Sequence, residues 1–286
     1  MFNRAIGFAP NGTYWRLLRK VASSHLFAPR KISAHEPARD LECTSMLNDI
    51  RKEQSLHGFV VLRKHLQDAS LNNIMEIVFG KSYNKVGDDV DESMELQEMV
   101  REGFELLGAF NWCDHLPWLN YFYDPFRIKE RCMVLVPKVK KFVKKIINEH
   151  KLRGSVNLHD RSDFVDVLLS LDGQDNLSEE DMVAVLWRVI IFYENVFRDP
   201  ERFIVSAGGS SVDIRGNDLR LAPLGAGRRV CPGMNLGMVT VSEWVAKLVH
   251  QFEWVQDMGR PVDLTEVLKL SCEMKQPLCT KVIPRK

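Results

Sequence analysis

The most constraining stretch of this 286-residue chain is Pro223-Leu224-Gly225-Ala226-Gly227-Arg228-Arg229-Val230-Cys231-Pro232-Gly233, which runs straight into the segment Met234 to Phe252. Gly225, Gly227 and Gly233 free the backbone for tight turns and left-handed conformations, so the stretch is a shaped loop rather than a continuing helix or strand. Downstream, Met238, Val241, Trp244, Val245, Leu248, Val249 and Phe252 recur at steps of three and four. That spacing predicts a helix that buries this face. Cys231 therefore stands just before a helix start, where unpaired amides and the positive end of the helix dipole favour a thiolate, the metal-binding form of sulfur. A lone cysteine is commonly no more than a small buried hydrophobe. Gly227, Arg229 and Gly233 around this one argue for a built site instead. A dinucleotide-binding loop is excluded, because the third glycine of Gly-x-Gly-x-x-Gly would fall on Val230.

The loop resembles the haem-binding loop of the cytochrome P450 family, Phe-x-x-Gly-x-Arg-x-Cys-x-Gly. It is read here at Leu224, Gly227, Arg229, Cys231 and Gly233, with an apolar leucine in place of the aromatic. The resemblance implies haem b (iron protoporphyrin IX), with Cys231 as the proximal iron ligand and Arg229 beside a haem propionate. A thiolate in that position favours O–O cleavage, and the glycines let backbone amides approach the sulfur. Trp15 and Arg19 share a helical face and match the family's Trp-x-x-x-Arg motif, whose residues contact the propionates. By spacing alone the pair reads as an amphipathic helix with one core tryptophan. Asp199-Pro200-Glu201-Arg202-Phe203 resembles the Pro-Glu-Arg-Phe motif just ahead of the loop. Glu36-Pro37-Ala38-Arg39 spells Glu-x-x-Arg far upstream of the family's copy and reads as a solvated helix start. Runs such as Ala5 to Pro10, Ala69 to Met75 and Leu268 to Met274 are similar to the plant 78A subfamily.

What the resemblance implies is a mainly α, P450-type helical fold with a small β region. The function implied is a haem-thiolate monooxygenase inserting one oxygen atom from O2 into a small organic, fatty-acid-like substrate. Electrons would come from an NADPH-cytochrome P450 reductase at the cytosolic face of the endoplasmic reticulum. The expected division is an N-terminal helical part over 1–190, a deletion seam at 191–198, and a C-terminal part over 199–286 holding the haem loop, a following helix and a small sheet. The membrane anchor with the first sheet, the oxygen-activating segment of the central helix and the Glu-x-x-Arg helix have no counterpart in the text. The alternative reading is therefore a truncated product that turns nothing over and serves at most as an interaction partner, located in the cytosol.

Periodicity and punctuation predict further helices. One is capped by Thr13 and runs from Tyr14 towards Phe27. Another follows a Ser33/Glu36 capping box to about Ser55, and others cover Leu62 to Phe79 before Gly80 and Glu95 to Phe110. Arg127 to Leu152 carries lysines between Val139, Phe142, Val143, Ile146 and Ile147. This is an ordinary helix with a wet lysine face or, next to the aromatic segment 110–126, a membrane-surface contact. A short helix over Ser162 to Leu171 and one capped by Ser178 and Asp181 follow. Segment 206–217 reads as loop, and the alternating Leu278, Thr280 and Val282 as strand. A net charge of +1 supplies no field for nucleic acid, which is not an expected partner. Six cysteines without a Cys-x-x-Cys pair suit a reducing compartment.

Overall fold

Glycines and prolines end the helices of this chain where the sequence places them. The computed structural model describes residues 4–82, 90–111, 115–116, 118, 124, 126–153, 162–197, 215, 224–268 and 272–285. Helix α1 (Thr13–Val21) passes through one π-helical turn, Ala22–Leu26, and stops before Pro29, which occupies the first turn of α2 (Pro29–Ala34). α3 (Glu36–His57) ends at Gly58 and α4 (Leu62–Phe79) at Gly80, both left-handed with φ of 73° and 60°. Left-handed backbone closes a helix most cheaply when there is no Cβ. α5 (Val90–Gly108), α6 (Ile128–Arg153), α7 (Phe164–Leu169), α8 (Glu179–Phe197) and α9 (Met234–Gln251) complete the helical set among the described residues.

The strands are short. β1 (Val60–Val61), β5 (Cys279–Pro284) and β2 (Phe252–Gln256) form one antiparallel sheet in that order, with Val60 opposite Thr280 and Trp254 opposite Val282. β3 (Glu266–Leu268) pairs with β4 (Cys272–Met274), Val267 facing Glu273. The core lies where α8 packs along α4, α4 on α3, and α6 on α5 and α8. Ile74, Met75, Phe79, Leu96, Phe104, Val143, Ile146 and Leu186 are fully buried there.

Two predicted caps take another form. Neither Thr13 nor Ser33 makes a cap bond; Gly12 and His35 hold the N-cap positions without side-chain hydrogen bonds. At α8 the expectation holds, since the Asp181 amide donates to Ser178 Oγ at 3.2 Å. The face of α9 is also rotated from the one predicted. Leu236, Thr240, Trp244 and Leu248 are buried, whereas Val245 and Val249 are exposed, Val249 by 53%. Against α3 and α8 the contact surface is the i, i+4 row through Trp244, and the valines lie beside that row. Arg39 is the largest correction: it is 2% exposed rather than solvated. Its Nη1 donates to Ile32 O at 2.6 Å, and its Nε lies 3.7 Å from Glu243 on α9. Packing of α3 against α9 converts a residue near a helix start into a buried ion pair.

Three lysines of α6 reach acidic partners on neighbouring helices. Lys144 and Lys151 reach Glu179 at the start of α8 (2.9 and 3.1 Å), and Lys145 reaches Glu92 of α5 at 3.0 Å. Exposed pairs of this kind contribute about 0–1 kcal/mol each, so the apolar face with Val139, Val143 and Ile147 sets the helix position. Of the aromatics in the 110–126 segment, Phe110, Trp118 and Phe126 are exposed, and the others fall outside the described residues. No helix among the described residues is long and apolar enough to cross a membrane. The 199–203 motif and the 206–217 loop except Arg215 lie outside the described residues.

Candidate functional site

The cysteine loop is held by its own backbone. The Cys231 amide donates to Leu224 O at 2.9 Å and the Val230 amide to Gly227 O at 3.2 Å. Beyond the turn, the Met234 amide donates to Cys231 O at 3.3 Å, where α9 begins. Gly225 and Gly227 take φ of 73° and 68°, a region that costs a residue with a Cβ about 1–2 kcal/mol. Leu224 is buried beneath the loop, so it and Gly227 shape the turn.

Cys231, Pro232 and Gly233 form one wall of a cleft that opens to solvent and encloses about 80 Å3. Ile6, Trp15, Phe27 and Val189 supply apolar surface to the other walls, and Arg19, Arg188 and Arg229 supply three positive charges. The structure thus brings Trp15, Arg19, Arg229, Cys231 and Gly233 to one slot from positions more than 200 residues apart. Two guanidinium groups pack against the Trp15 ring, whose centroid is 5.6 Å from Arg19 and 5.1 Å from Arg229. Its single N–H is donated to Ile6 O at 3.1 Å, which leaves no polar hydrogen on the ring for another acceptor. Arg19 Nη1 donates to Val230 O at 2.6 Å, bracing the residue next to Cys231. Arg229 donates to Gly7 O and Ala9 O at 3.2 and 2.8 Å. Each arginine keeps further N–H groups, because a guanidinium carries five.

Several slot residues were not assigned to the site from sequence, and two of them stand out. Phe27 is one: a Cβ built on Gly233 would stand 2.9 Å from Phe27 Cε1. Gly233 has ordinary φ, so its glycine is required by close approach and not by backbone strain. We expect Gly233→Ala to destabilise the protein by about 1–3 kcal/mol through overpacking, and Phe27→Leu in the same chain to restore most of the loss. Equal midpoints for wild type and Gly233→Ala in urea denaturation would remove this account. Arg188 is the other. Its signal was a single charge inside the apolar run Met182 to Phe192.

The sulfur itself differs from expectation. Burial pushes the Cys231 thiol above its ordinary pKa of 9.0, and the Gly233 amide and Arg19 pull it down by less. The helix start therefore does not produce a thiolate unaided; a cation must displace the proton. Donor chemistry nevertheless fits iron protoporphyrin. A half-buried soft sulfur, arginines for two carboxylates and aromatic and aliphatic walls for a flat apolar ring share one cleft. His150, Asp163 and Asp166 also cluster within ligand distance of one another. Both His150 ring nitrogens face acceptors, Ile146 O and Asp163 Oδ2, each at 2.8 Å. With both occupied as N–H donors, no lone pair is left for a metal, and the cluster is a buried ion pair.

A helical fold around a long central helix, with a glycine-turned cysteine beside a cationic, apolar-walled slot, defines a candidate tetrapyrrole-binding protein of the sulfur-ligand type. A family profile described as Cytochrome P450 matches residues 1–191 and 194–277, and the chain belongs to the cytochrome P450 family. It is 44% identical to Cytochrome P450 78A7 of Arabidopsis thaliana, over 97% of this chain and 71% of the relative. To Cytochrome P450 78A11 of Oryza sativa subsp. japonica it is 43% identical, over 100% and 72%. The fold is similar to the retinoic acid-bound cyanobacterial CYP120A1, with a TM-score of 0.73 at 12% identity over 99% of this chain and 81% of that one. CYP102L1 gives 0.73 at 10% identity, over 100% and 85%. The alignments to the plant relatives run over 388 and 398 positions against 286 residues here, so over a hundred positions of the relatives inside the matched span have no counterpart in this chain. Members of this family are monooxygenases that bind haem iron through a cysteine thiolate and use O2, an organic substrate and a redox partner.

Proposed function

We propose that this chain holds haem b in the slot between α8 and the cysteine loop, with Cys231 as the iron ligand. The observation that carries this is the convergence of one half-buried thiol and cationic side chains on a single apolar-walled cleft. Arg19 and Arg229 hold the two propionates with the N–H groups they do not spend on Val230, Gly7 and Ala9. Trp15 packs against both guanidinium groups and would help to hold the haem by keeping them in place. Leu224, Gly227 and Gly233 keep the sulfur presented and let the Gly233 amide donate towards it. Ile6, Phe27 and Val189 keep water from the iron side of the slot. When bound, the haem supplies oxygen activation, and the reaction class is insertion of one oxygen atom into a small, fatty-acid-like organic molecule. An NADPH-cytochrome P450 reductase supplies electrons at the cytosolic face of the endoplasmic reticulum, where the exposed Phe110, Trp118 and Phe126 meet the membrane surface.

We further read residues 191–198 as a join between an N-terminal helical part and a C-terminal haem-loop part. The break in the family match between residues 191 and 194 supports this reading. It also favours a second functional reading, an incompetent product, because the positions without counterpart would add surface around the slot. The test is haem reconstitution of the full chain followed by the spectrum of the reduced carbon monoxide complex. A thiolate-type Soret band is expected, and its absence overturns the cofactor assignment. Turnover of decanoate with a reductase then separates a competent oxygenase from a haem-binding remnant.

A further inference from the structure

We propose that Asp181 is a positioning residue of the slot: it fastens a strap, residues 4–9, whose backbone carbonyls hold Trp15 and Arg229 in place; the proposal rests on the haem-slot reading above. Residues 5–9 form no helix or strand, so what their ends and carbonyls meet sets their path. On its inner side the strap serves the slot. Ile6 O accepts the Trp15 N–H at 3.1 Å, and Gly7 O and Ala9 O accept from Arg229 at 3.2 and 2.8 Å. At its outer end it is tied to the first turn of α8. Asp181 Oδ1 accepts from Arg4 Nη1 and from the Tyr14 hydroxyl, each at 3.0 Å, and the same hydroxyl lies 2.8 Å from Arg4 O. Burial and the bond to Asp181 push the Tyr14 pKa above the ordinary phenol value, so the hydroxyl keeps the proton it donates. Asp181 Oδ2 accepts the Ser178 hydroxyl at 2.6 Å. Helix capping accounts for that last bond and for neither of the others. With its side chain 15% exposed, Asp181 is screened less than a carboxylate at the open surface. It does not line the cleft, and it stands seven residues before Arg188, about 10 Å along α8. Its reach into the slot is therefore through the strap. Two carbonyls that fix two nitrogens of the Arg229 guanidinium aim its other donors, and a loosened strap returns rotamer freedom to a long side chain. A second tie to α8 is the Phe8 ring, 4.1 Å from the Arg188 guanidinium, so loss of Asp181 loosens the strap without freeing it.

The test has two arms, both on the full chain. In the first, without haem, amide hydrogen exchange is followed over residues 5–9, where the Phe8 and Ala9 amides donate to Ala5 O at 3.0 and 2.8 Å. Asp181→Ala is expected to speed exchange there by about tenfold or more and to leave the α4 amides as in wild type. Ser178→Ala removes the cap bond and no strap bond, and exchange over 5–9 should not change. In the second arm the chain is loaded with hemin, and haem transfer to excess apomyoglobin is timed. Asp181→Ala and Arg229→Gln are each expected to release haem about tenfold faster than wild type. The double variant should release it no more than about threefold faster than Arg229→Gln, because Asp181 acts through a group already removed. Equal exchange over 5–9 in wild type and Asp181→Ala overturns the proposal, and so does a double variant that shows the product of the two single effects. Faster exchange spread evenly through α3 and α4 also counts against it, since a merely structural role loosens the whole fold. The first arm needs no cofactor. Locally faster exchange in a chain that retains no hemin would therefore count against the haem reading and leave the fastening of the strap by Asp181 standing.

Discussion

Cys231→Ser is expected to leave the chain folded and to abolish the thiolate-type spectrum of the reduced carbon monoxide complex. The loop is held by the backbone bonds Cys231 to Leu224, Val230 to Gly227 and Met234 to Cys231, none of which involves the sulfur. A hydroxyl of similar size therefore fits the same turn but lacks a readily ionised, electron-donating sulfur. The raised pKa of the thiol gives the prediction a second, quantitative arm. Iron takes the thiolate, so each metal bound to Cys231 releases a proton, and below the thiol pKa affinity should fall about tenfold for each unit of pH. The competition should disappear in Cys231→Ser. A variant whose carbonyl spectrum matches wild type, or a wild type whose iron affinity is flat between pH 9 and pH 6, would take the ligand role from Cys231.

His150→Leu should cost about 3–5 kcal/mol of stability, a large share of the roughly 5–15 kcal/mol available to a folded domain. His150 is 3% exposed in the last turn of α6, and Asp163, also buried, is the N-cap of α7, accepting from the Asp166 amide at 3.0 Å. The pair locks two helix ends together beside Gly80, whose missing Cβ leaves room for Asp163 Oδ2. Removing the imidazolium strands a buried carboxylate, and replacing both residues with leucine should cost less than the single change. Burial disfavours the charged imidazole, but the Asp163 hydrogen bond and the Ile146 carbonyl outweigh it and raise its pKa above 6.5. The stabilisation is therefore complete below pH 6.5 and is lost as pH rises through the folded-state value. Urea midpoints of wild type should fall across that window relative to those of His150→Leu. A single variant within 1 kcal/mol of wild type, or parallel pH profiles, would show that the pair contributes little.

Much of the architecture was legible along the chain because it depends on local rules. Gly80 ends its helix, Ser178 caps α8, and the apolar spacing of 139, 143 and 147 selects the buried face of α6. The cysteine loop was legible for the same reason, since its glycines and hydrogen bonds fall within ten residues of one another. Where a residue's state depends on a distant partner, local reading went astray. Arg39 is buried because α9 brings Glu243 beside it, and Val245 and Val249 are exposed because the i, i+4 row through Trp244 meets α3 and α8 instead. Thr13 and Ser33 were plausible caps that the chain path left unused.

The linear text by itself determined which segments are helical, the turned loop and the identity of its single sulfur, all set by backbone sterics and hydrogen bonds between near neighbours. Folding alone decided that Trp15, Phe27, Arg188 and Arg229 share one cleft with that sulfur and that Trp15 spends its N–H on Ile6. It also decided that the thiol is harder to ionise than its place before a helix suggests. The reason is dielectric and steric. Removing water from a group, and setting a ring 2.9 Å from where a Cβ would stand, are acts of packing between segments some 200 residues apart, and no short window of sequence contains them.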